Sequence, residues 1–210
     1  MQAYYEKRQP EYEAIYQKPE RQEDLLWLCD ALSPHVRRRR VLELACGTGY
    51  WTRRMKHDAT SIHATDISAQ LAEAAVMSCD HASVTGDTLD AFNLPDNLDF
   101  DCVVAGFLYS HILIEQRASF LKGLTASLPI DTTLLLYDNK YVPGSSTPIS
   151  RTTPTGDTYQ RRKLKDGSQH EVLKNFPTKK ELQTTLQPFC NDVVVLESTY
   201  FWFATGKLRG

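Results

Sequence analysis

The sequence has no long apolar segment. Its longest clean apolar run covers residues 102–109, which is far shorter than the ~20 residues that a membrane-spanning helix requires. The first residues are charged and rich in tyrosine, and they lack the apolar segment of a secretory signal, so we expect no signal peptide. We therefore expect a cytoplasmic protein with no membrane partner.

The sequence also lacks an excess of positive charge. The chain of 210 residues carries 24 Lys and Arg against 26 Asp and Glu, a formal net charge of -2. This balance gives no general field that would attract phosphate backbones, so we expect no nucleic-acid partner. Hydrophobic residues make up 41% of the chain, which is enough for an ordinary core, and the length fits a single domain, 1–210.

Cysteine is sparse and shows no metal-binding pattern. The five cysteines are scattered, with no Cys-x-x-Cys pair and no His/Cys cluster at zinc spacing. Reduced thiols are the simplest interpretation for a cytoplasmic protein. The sequence therefore predicts no zinc site.

Short apolar segments alternate with helical patterns along most of the chain. Strand-like segments cover 41–45, 61–65, 82–85, 100–107 and 132–137, and two more, 193–197 and 200–205, come near the end. Helical patterns cover 19–33, 50–56, 70–77, 114–128 and 178–186, the first ending at Ser33-Pro34, with Ser68 and Thr178 as expected N-caps. Because the central strands are apolar on both faces, the alternation predicts an α/β fold with a doubly wound, mostly parallel sheet.

Residues 139–176 interrupt this alternation. They are rich in proline and glycine, with a hairpin-like piece at 158–164. A connection of this length inside a compact domain is usually functional and often a lid. We expect it, with the N-terminal segment 1–34, to form walls of a binding pocket.

A glycine loop lies at the position where an α/β sheet binds ligands. Gly47 and Gly49 follow the strand 41–45 and precede a helix, so backbone N–H groups and a helix N-terminus face a ligand there. Asp66 ends the next strand, where a carboxylate can accept hydrogen bonds from ribose hydroxyls, and Asp87 ends the strand after that. This arrangement predicts a nucleotide-like cofactor.

Residues 41–49, Val-Leu-Glu-Leu-Ala-Cys-Gly-Thr-Gly, resemble motif I of the class I S-adenosylmethionine (SAM) methyltransferases, with Ala45 in place of its first glycine. The resemblance covers roughly 36–138 and 178–207. It implies a Rossmann-like seven-stranded sheet of order 3-2-1-4-5-7-6 with a terminal antiparallel strand pair. A nicotinamide-binding oxidoreductase is an alternative, disfavoured because Thr52 stands where its third glycine belongs.

The resemblance implies SAM as cofactor and S-adenosylhomocysteine (SAH) as product. It assigns cofactor contacts to the glycine loop, the two acids and the end of the fourth strand: Tyr4, Glu43, Ala45, Cys46, Gly47, Gly49, Trp51, Asp66, Ile67, Gly86, Asp87, Thr88, Ala105, Gly106 and Phe107. Because Glu43 lies on a buried strand, we expect it to accept from backbone N–H groups or from the amino group of the cofactor. Cys46 is interpreted as a small packing residue.

The resemblance further implies transfer of the methyl group to a small-molecule acceptor at O, N, S or C, by in-line displacement. The N-terminal tyrosines are similar to those of small-molecule methyltransferases related to the ubiquinone and menaquinone C-methyltransferases, whose N-terminal segment folds over the cofactor. His111, Tyr109 and Tyr5 are the candidate catalytic residues. His111 follows the fourth strand and could act as a base or only position the acceptor.

Several alternatives stay open. Asp138-Asn139 resembles a pair in metal-dependent catechol-type methyltransferases, but the further Asp expected after the fourth strand is absent, so we expect no metal. A macromolecule methyltransferase and a non-catalytic SAM-binding regulator are the competing functions, and the chain could be a monomer or a homodimer. Five cationic residues suggest an anionic acceptor: Arg21, Arg151, Arg161, Arg162 and Lys163.

Overall fold

The computed structural model describes residues 9–210, with side chains from residue 13 onward. It contains two β-sheets. The large sheet is built from β1 (Arg40–Leu44), β2 (Ser61–Asp66), β3 (Val84–Thr88), β4 (Cys102–Gly106), β5 (Thr133–Asn139), β9 (Cys190–Glu197) and β10 (Phe201–Leu208). The small sheet is built from β6 (Ile149–Thr152), β7 (Thr158–Lys163) and β8 (Gln169–Leu173).

The large sheet has the order β3-β2-β1-β4-β5-β10-β9. Strands β1 to β5 run parallel to one another, and β10 pairs antiparallel with both β5 and β9. This order is the predicted 3-2-1-4-5-7-6, so the predicted Rossmann-like fold with its terminal antiparallel pair is confirmed. The carboxyl ends of the parallel strands meet at one edge, where such sheets bind ligands.

Helices cover both faces of the large sheet, as a doubly wound fold requires. They are α1 (Gln22–Val36), α2 (Thr52–Met55), α3 (Ala69–Cys79), α4 (Arg117–Ser127) and α5 (Lys179–Leu186). Helices α1, α2 and α3 pack their apolar side chains on one face, and α4 and α5 pack on the other. None of the helices within residues 9–210 is long and apolar enough to cross a membrane.

Two local predictions from the sequence are wrong. Helix α1 does not end at Ser33-Pro34 but continues to Val36, because a proline near the end removes one hydrogen bond without blocking the last turn, where Arg37 N donates to Ser33 O at 3.2 Å. The helix after the glycine loop is only the single turn α2, since the chain before Thr52 forms turns around Gly47 and Gly49.

Strand β3 extends through Gly86 and Asp87, where the sequence predicted that the strand had ended. Gly86 pairs with Ala64 of β2, and a Cβ at Gly86 would lie 2.7 Å from Ala64 O. Glycine here therefore serves close packing within the sheet and against α3 rather than a turn.

The insert 139–176 folds as the antiparallel sheet β6-β7-β8, of which the sequence predicted only a hairpin-like piece. Two buried polar residues anchor this sheet to the chain after β4. The Asp157 Oδ1 atom accepts from Ile114 N at 2.9 Å and from Asn175 Nδ2 at 2.8 Å, and Asn175 N donates to Ser110 O at 2.8 Å. The insert is thereby fixed beside the carboxyl edge of the large sheet.

Candidate active site

A cavity of about 480 Å³ lies at the carboxyl ends of the parallel strands. At one end it is lined by Ala45 after β1 and by Asp66 and Ile67 at the end of β2. It passes Gly106 and Phe107 after β4 and reaches the insert at its other end. Its place at the edge where the strand order reverses is the usual ligand site of this kind of sheet.

The glycine loop has a left-handed backbone at three positions. The φ angles are 53° at Ala45, 57° at Gly47 and 80° at Gly49. A Cβ at Gly49 would lie 2.8 Å from Ala75 Cα, so glycine lets the loop press against α3. Ala45 occupies the position of the first glycine of motif I and adopts the backbone a glycine would, at a cost of about 1 kcal/mol.

Asp66 connects the loop to α3 at the wall of the cavity. Its Oδ2 atom accepts from Gly47 N at 3.1 Å, and its Oδ1 atom accepts from Ser68 N at 3.0 Å. The side chain lines the cavity although the residue is only 6% exposed. The carboxylate is therefore oriented by backbone groups and presented to a ligand at the end of β2.

Glu43 lies behind the loop and accepts from the Thr52 hydroxyl at 2.6 Å through Oε2. The sequence predicted backbone N–H groups or the amino group of the cofactor as partners, whereas the structure shows a hydroxyl, because the first residue of α2 lies directly over the strand. Burial raises the pKa of Glu43 to about 8, although the Thr52 hydrogen bond acts in the opposite direction. Thr52, which replaces the third glycine of an oxidoreductase motif, thus has a structural function here.

An aromatic cluster covers the middle of the cavity. Tyr16 stacks on Tyr50 with ring centroids 3.7 Å apart and accepts a hydrogen bond from Trp51 Nε1 at 3.3 Å. Phe107 lies edge-on to Tyr16 at 5.7 Å and adopts a φ of 58°, a strained backbone for an aromatic residue. Of these rings, Tyr16 and Phe107 line the cavity, whereas Trp51 is buried behind them.

The N-terminal segment contacts the glycine loop. The Glu13 Oε1 atom accepts from Thr48 Oγ1 at 3.0 Å and from the Arg53 guanidinium at 2.5 Å. Glu13 and Tyr16 belong to a 3-10 segment, Gln9–Gln17, that lies over the loop. The predicted cofactor residue Tyr4 and the predicted catalytic residue Tyr5 lie outside the described residues.

His111 lines the cavity and is half-buried. Its Nδ1 atom is 2.6 Å from Leu173 O, and because a carbonyl only accepts, Nδ1 carries the proton. Burial and then the charge of Lys174 hold the pKa of His111 well below its ordinary value, while Asp138 opposes them. The ring is therefore neutral at pH 7, with the lone pair on Nε2.

A buried ion pair lies beside His111. Lys174 Nζ is 2.6 Å from Asp138 Oδ1 and 2.6 Å from Ser110 Oγ, and the two charged side chains are 5% and 0% exposed. Burial opposes ionisation of Asp138, but the charge of Lys174 acts together with smaller contributions, which include the hydrogen bonds from Lys174 and Ser110, and the pKa of the carboxyl is lowered. No group of three His, Cys, Asp or Glu side chains among the described residues is arranged to hold a metal ion.

The insert end of the cavity is rich in cations. Arg21 is 7% exposed, and its guanidinium donates to Asn139 Oδ1 at 3.1 Å and to Ser145 Oγ at 2.8 Å. Within residues 13–210, no carboxylate lies within ion-pair distance of this guanidinium. Burial lowers the pKa of Arg21 from its ordinary value. The other cationic side chains on this wall are Lys18, Arg161, Arg162, Lys163 and Lys174.

The structure brings some predicted site residues to the cavity and not others. Those that line it are Ala45, Asp66, Ile67, Gly106, Phe107, His111, Arg21, Arg161, Arg162 and Lys163. Those behind the wall or beside it are Glu43, Cys46, Gly47, Gly49, Trp51, Gly86, Asp87, Thr88 and Ala105. Arg151 is directed elsewhere and pairs with Glu171 at 2.8 Å.

Tyr109 does not reach the cavity. It is 1% exposed in the core on the α4 and α5 face, where its ring lies edge-on to Trp202 at 5.9 Å. The 3-10 turn Tyr109–His111 directs its first residue into the core and its last toward the cavity. The predicted catalytic role of Tyr109 therefore has no support in its position.

Comparison with known sequences agrees with this geometry. Residues 41–129 match the family described as a methyltransferase domain. An uncharacterized methyltransferase of Staphylococcus carnosus (strain TM300) is 28% identical over 109 residues, which are 49% of this chain and 48% of that protein. The chain thus matches about half the length of this curated relative.

Solved structures match over nearly the whole chain. The complex of DhpI with SAH has 25% identity and a TM-score of 0.80, covering 99% of this chain and 94% of that one. The complex of DhpI with SAM and HEP has 25% identity and a TM-score of 0.79, covering 97% and 94%. The protein PH0226 of Pyrococcus horikoshii OT3 shares the fold at 15% identity, with a TM-score of 0.73 over 91% and 92%.

The sheet order, the left-handed glycine loop and the acid at the end of β2 occur together in this chain. The methyltransferase matches in sequence and in structure point in the same direction. Over residues 41–129 the chain thus matches a methyltransferase domain, and over nearly its whole length it has the fold of DhpI, which was solved with SAH and with SAM.

Proposed function

We propose that this protein transfers the methyl group of SAM to a small anionic acceptor. The observation that carries the proposal is a continuous cavity with two different ends. One end is formed by the glycine loop and Asp66, and the other by buried and half-buried cations of the insert and of the segment before α1. The cofactor and the acceptor would meet between them, beside Phe107 and His111.

The residues at the loop end fit SAM. Ala45 presents only a methyl group to the cavity, so a ligand can approach the backbone there. The Asp66 carboxylate is held where ribose hydroxyls can donate to it, and the half-exposed Ile67 offers apolar surface beside it. SAM, when bound, supplies a methyl group already activated by its sulfonium.

The insert end fits an anion because the hydrogen-bond acceptors of the buried Arg21 guanidinium are neutral oxygens, while the carboxylates of Glu20 and Asp24 act on it only from beyond ion-pair distance. Burying a charge without a counter-charge is costly, and an anionic group of the acceptor would remove that cost. Arg162 is half-buried on the same wall and is held at 2.8 Å by Gln160 Oε1. A carboxylate or a phosphate monoester placed here would receive charge-assisted hydrogen bonds in a fixed direction.

The middle of the cavity supports the transfer itself. The ring of Phe107, held among Tyr16, Trp51 and Tyr137, gives one rigid wall, and such rings favour a nearby cation. Anchoring of the anion by Arg21 at one end would fix the acceptor in line with the methyl group. His111 Nε2 can accept a proton when the attacking atom still carries one. DhpI, solved with SAM and HEP together, gives a precedent for a second molecule beside the cofactor.

Substitution of Arg21 tests the anion end. Calorimetry should show that wild-type protein binds SAM and SAH, and a screen of small carboxylates and phosphate monoesters should then identify the acid that is methylated best. Arg21→Met should raise the KM for that acid about 10- to 100-fold, the value of a lost charged hydrogen bond, and leave SAH affinity unchanged. The KM is measured by SAH release.

Arg151→Met is the matched control, because Arg151 is an arginine of the insert whose guanidinium pairs with Glu171 outside the cavity. It should behave as wild type in both measurements. Equal effects of the two substitutions on the KM would contradict an anion site at Arg21. Absence of SAM and SAH binding by folded wild-type protein would contradict the proposed function as a whole.

A further inference from the structure

The Lys174–Asp138 pair differs from the other ion pairs of the described chain. Both of its side chains are at most 5% exposed, whereas every other pair has side chains that are at least 27% exposed. Taking two charges out of water is costly, and apolar residues of similar size are often as stabilising. The pair therefore adds little to the stability of the fold. Its position beside the cavity suggests a role in the site instead.

Two consecutive residues of the insert contact two consecutive residues of the turn after β4. Leu173 O accepts from His111 Nδ1 at 2.6 Å, and Lys174 Nζ contacts Ser110 Oγ at 2.6 Å. Asp138, at the end of β5, holds the same ammonium at 2.6 Å and accepts from Ser110 N at 3.0 Å. Leu173 O thus orients the ring of His111, and the Lys174–Asp138 pair holds the neighbouring Ser110, so the insert and β5 together position the turn that carries His111.

The charged groups that face His111 come from three elements. Lys174 after β8 and Arg162 on β7 disfavour a proton on the ring, while Asp138 on β5 favours one. Among these groups Lys174 has the largest effect. Leu173 O determines which nitrogen keeps the single proton, so the cavity histidine is held as the tautomer with its lone pair on Nε2.

We infer that Lys174 is a positioning residue for His111, and that Asp138 holds its ammonium in place so that His111 is ready to accept a proton from the acceptor. Only one part of the inference rests on the proposed function, which is the transfer of a proton from the acceptor to His111 during methylation. In the transfer, the proton of an acceptor X–H group moves to Nε2 as the new X–CH3 bond forms. The electron pair of the broken S–CH3 bond stays on sulfur, and the imidazolium later returns its proton to water.

Charge-removing and charge-retaining variants of Lys174 test this inference. The midpoint of the His111 ring is measured by NMR titration of purified protein without SAM or acceptor, and His111→Gln assigns the signal. Lys174→Met should raise the midpoint by about one pH unit, because a nearby positive charge is lost. Lys174→Arg keeps the charge and should leave the midpoint close to wild type.

The double variant Lys174→Met/Asp138→Asn should have a midpoint between those of wild type and Lys174→Met, because both opposing charges are removed and Lys174 has the larger effect. If Lys174→Met does not fold, the double variant and Lys174→Arg still provide the comparison. A midpoint that stays at the wild-type value when the charge is removed would overturn the inference. A midpoint in Lys174→Arg that shifts as much as in the charge-removing variants would also overturn the inference, because a purely structural role of Lys174 predicts that result.

The readout separates this inference from the proposed function. The midpoints are measured without methyl transfer, so the predicted order can hold even if no acceptor is methylated. In active protein, the acid limb of the kcat/KM profile should move in the same order as the NMR midpoints. If the NMR midpoints change among the variants and the acid limb of the kcat/KM profile does not, Lys174 affects the pKa of His111, but His111 is not the proton acceptor.

Discussion

Two buried ionisable groups distinguish the two ends of the cavity: Arg21 lines one end, and Glu43 lies behind the glycine loop at the other. Arg21 is a guanidinium without a carboxylate partner among the described residues, and Glu43 is a carboxyl group that burial keeps protonated. An uncompensated buried charge such as that of Arg21 costs stability in the empty protein, whereas Glu43 avoids this cost by keeping its proton. The environment of Arg21 therefore favours a bound anion over an empty cavity.

Glu43 makes a prediction about stability and pH. Its pKa is about 8 in the folded state, above the ordinary value that the unfolded chain has, so the folded state holds a proton that the unfolded state has lost. This contribution to stability is complete below the unfolded pKa and is lost as the pH rises toward about 8. While the two states differ by this one proton, the free energy of unfolding should fall by roughly 1.4 kcal/mol for each step of one pH unit.

Glu43→Gln should remove this part of the pH dependence, because the amide has no proton to lose and can still accept from the Thr52 hydroxyl. The measurement is urea unfolding of both proteins from about pH 5 to about pH 8.5, a range that brackets the titration of the folded state. The difference between the two curves isolates Glu43, since all other titrating groups are shared. Parallel curves for the two proteins would show that Glu43 is ionised in the folded state and would refute the prediction.

At the scale of elements, the insert and the turn after β4 act together. Asp157 bridges Ile114 N and Asn175 Nδ2 and is 3% exposed, so it links β7 to the turn that carries His111. These hydrogen bonds of Asp157 join the insert to the segment after β4 and not to the glycine loop. Acceptor binding should therefore depend on this link, and cofactor binding should not.

Asp157→Ala should lower the free energy of unfolding by about 1–3 kcal/mol, because the buried Asn175 amide and the part-buried Ile114 N lose their partner. It should also raise the KM for the acceptor and leave the SAH affinity unchanged. Hydrogen exchange should increase within β7 and β8. Asp96→Ala, at an exposed position outside the insert, is the control and should change none of these. Loss of SAH affinity in Asp157→Ala would contradict the separation of the two ends.

The sequence predicted well those features that depend on a few neighbouring residues, such as helix caps and buried strands. The Thr178 cap was predicted from its position before an apolar-periodic segment, and the structure shows a full capping box with Glu181. The parallel sheet followed from strands that are apolar on both faces, such as β4. Only a hairpin-like piece of the small sheet was predicted, because its strands are mostly exposed and polar and pair only with one another.

Contacts between distant residues could not be predicted. Lys174 and Asp138 are 36 positions apart, and nothing in the sequence around either residue indicates the other. Tyr109 and His111 are two positions apart at the end of the same strand, and the sequence did not show which of them faces the cavity. The Glu43 partner was also missed, since it depends on how the single turn α2 lies over β1.

At the scale of the whole molecule, opposite charges are separated within one cavity. The net charge of -2 conceals this separation, because the cations of the insert end are balanced by acids elsewhere. A chain whose net charge is close to zero can thus still offer a cationic site to a small anion at one place. This separation is the central claim: the cofactor lies at the Asp66 end, and an acid is held at the Arg21 end.

A paired-acceptor assay tests that claim most directly. Small carboxylates and phosphate monoesters are each incubated with SAM beside a neutral amide or ester of the same size, and mass spectrometry follows the methylated product and SAH. We predict that the acid of the preferred pair is methylated, with formation of one SAH per methyl group, and that its neutral partner is not. Equal or faster methylation of the neutral partner, in protein that binds SAM, would contradict the account.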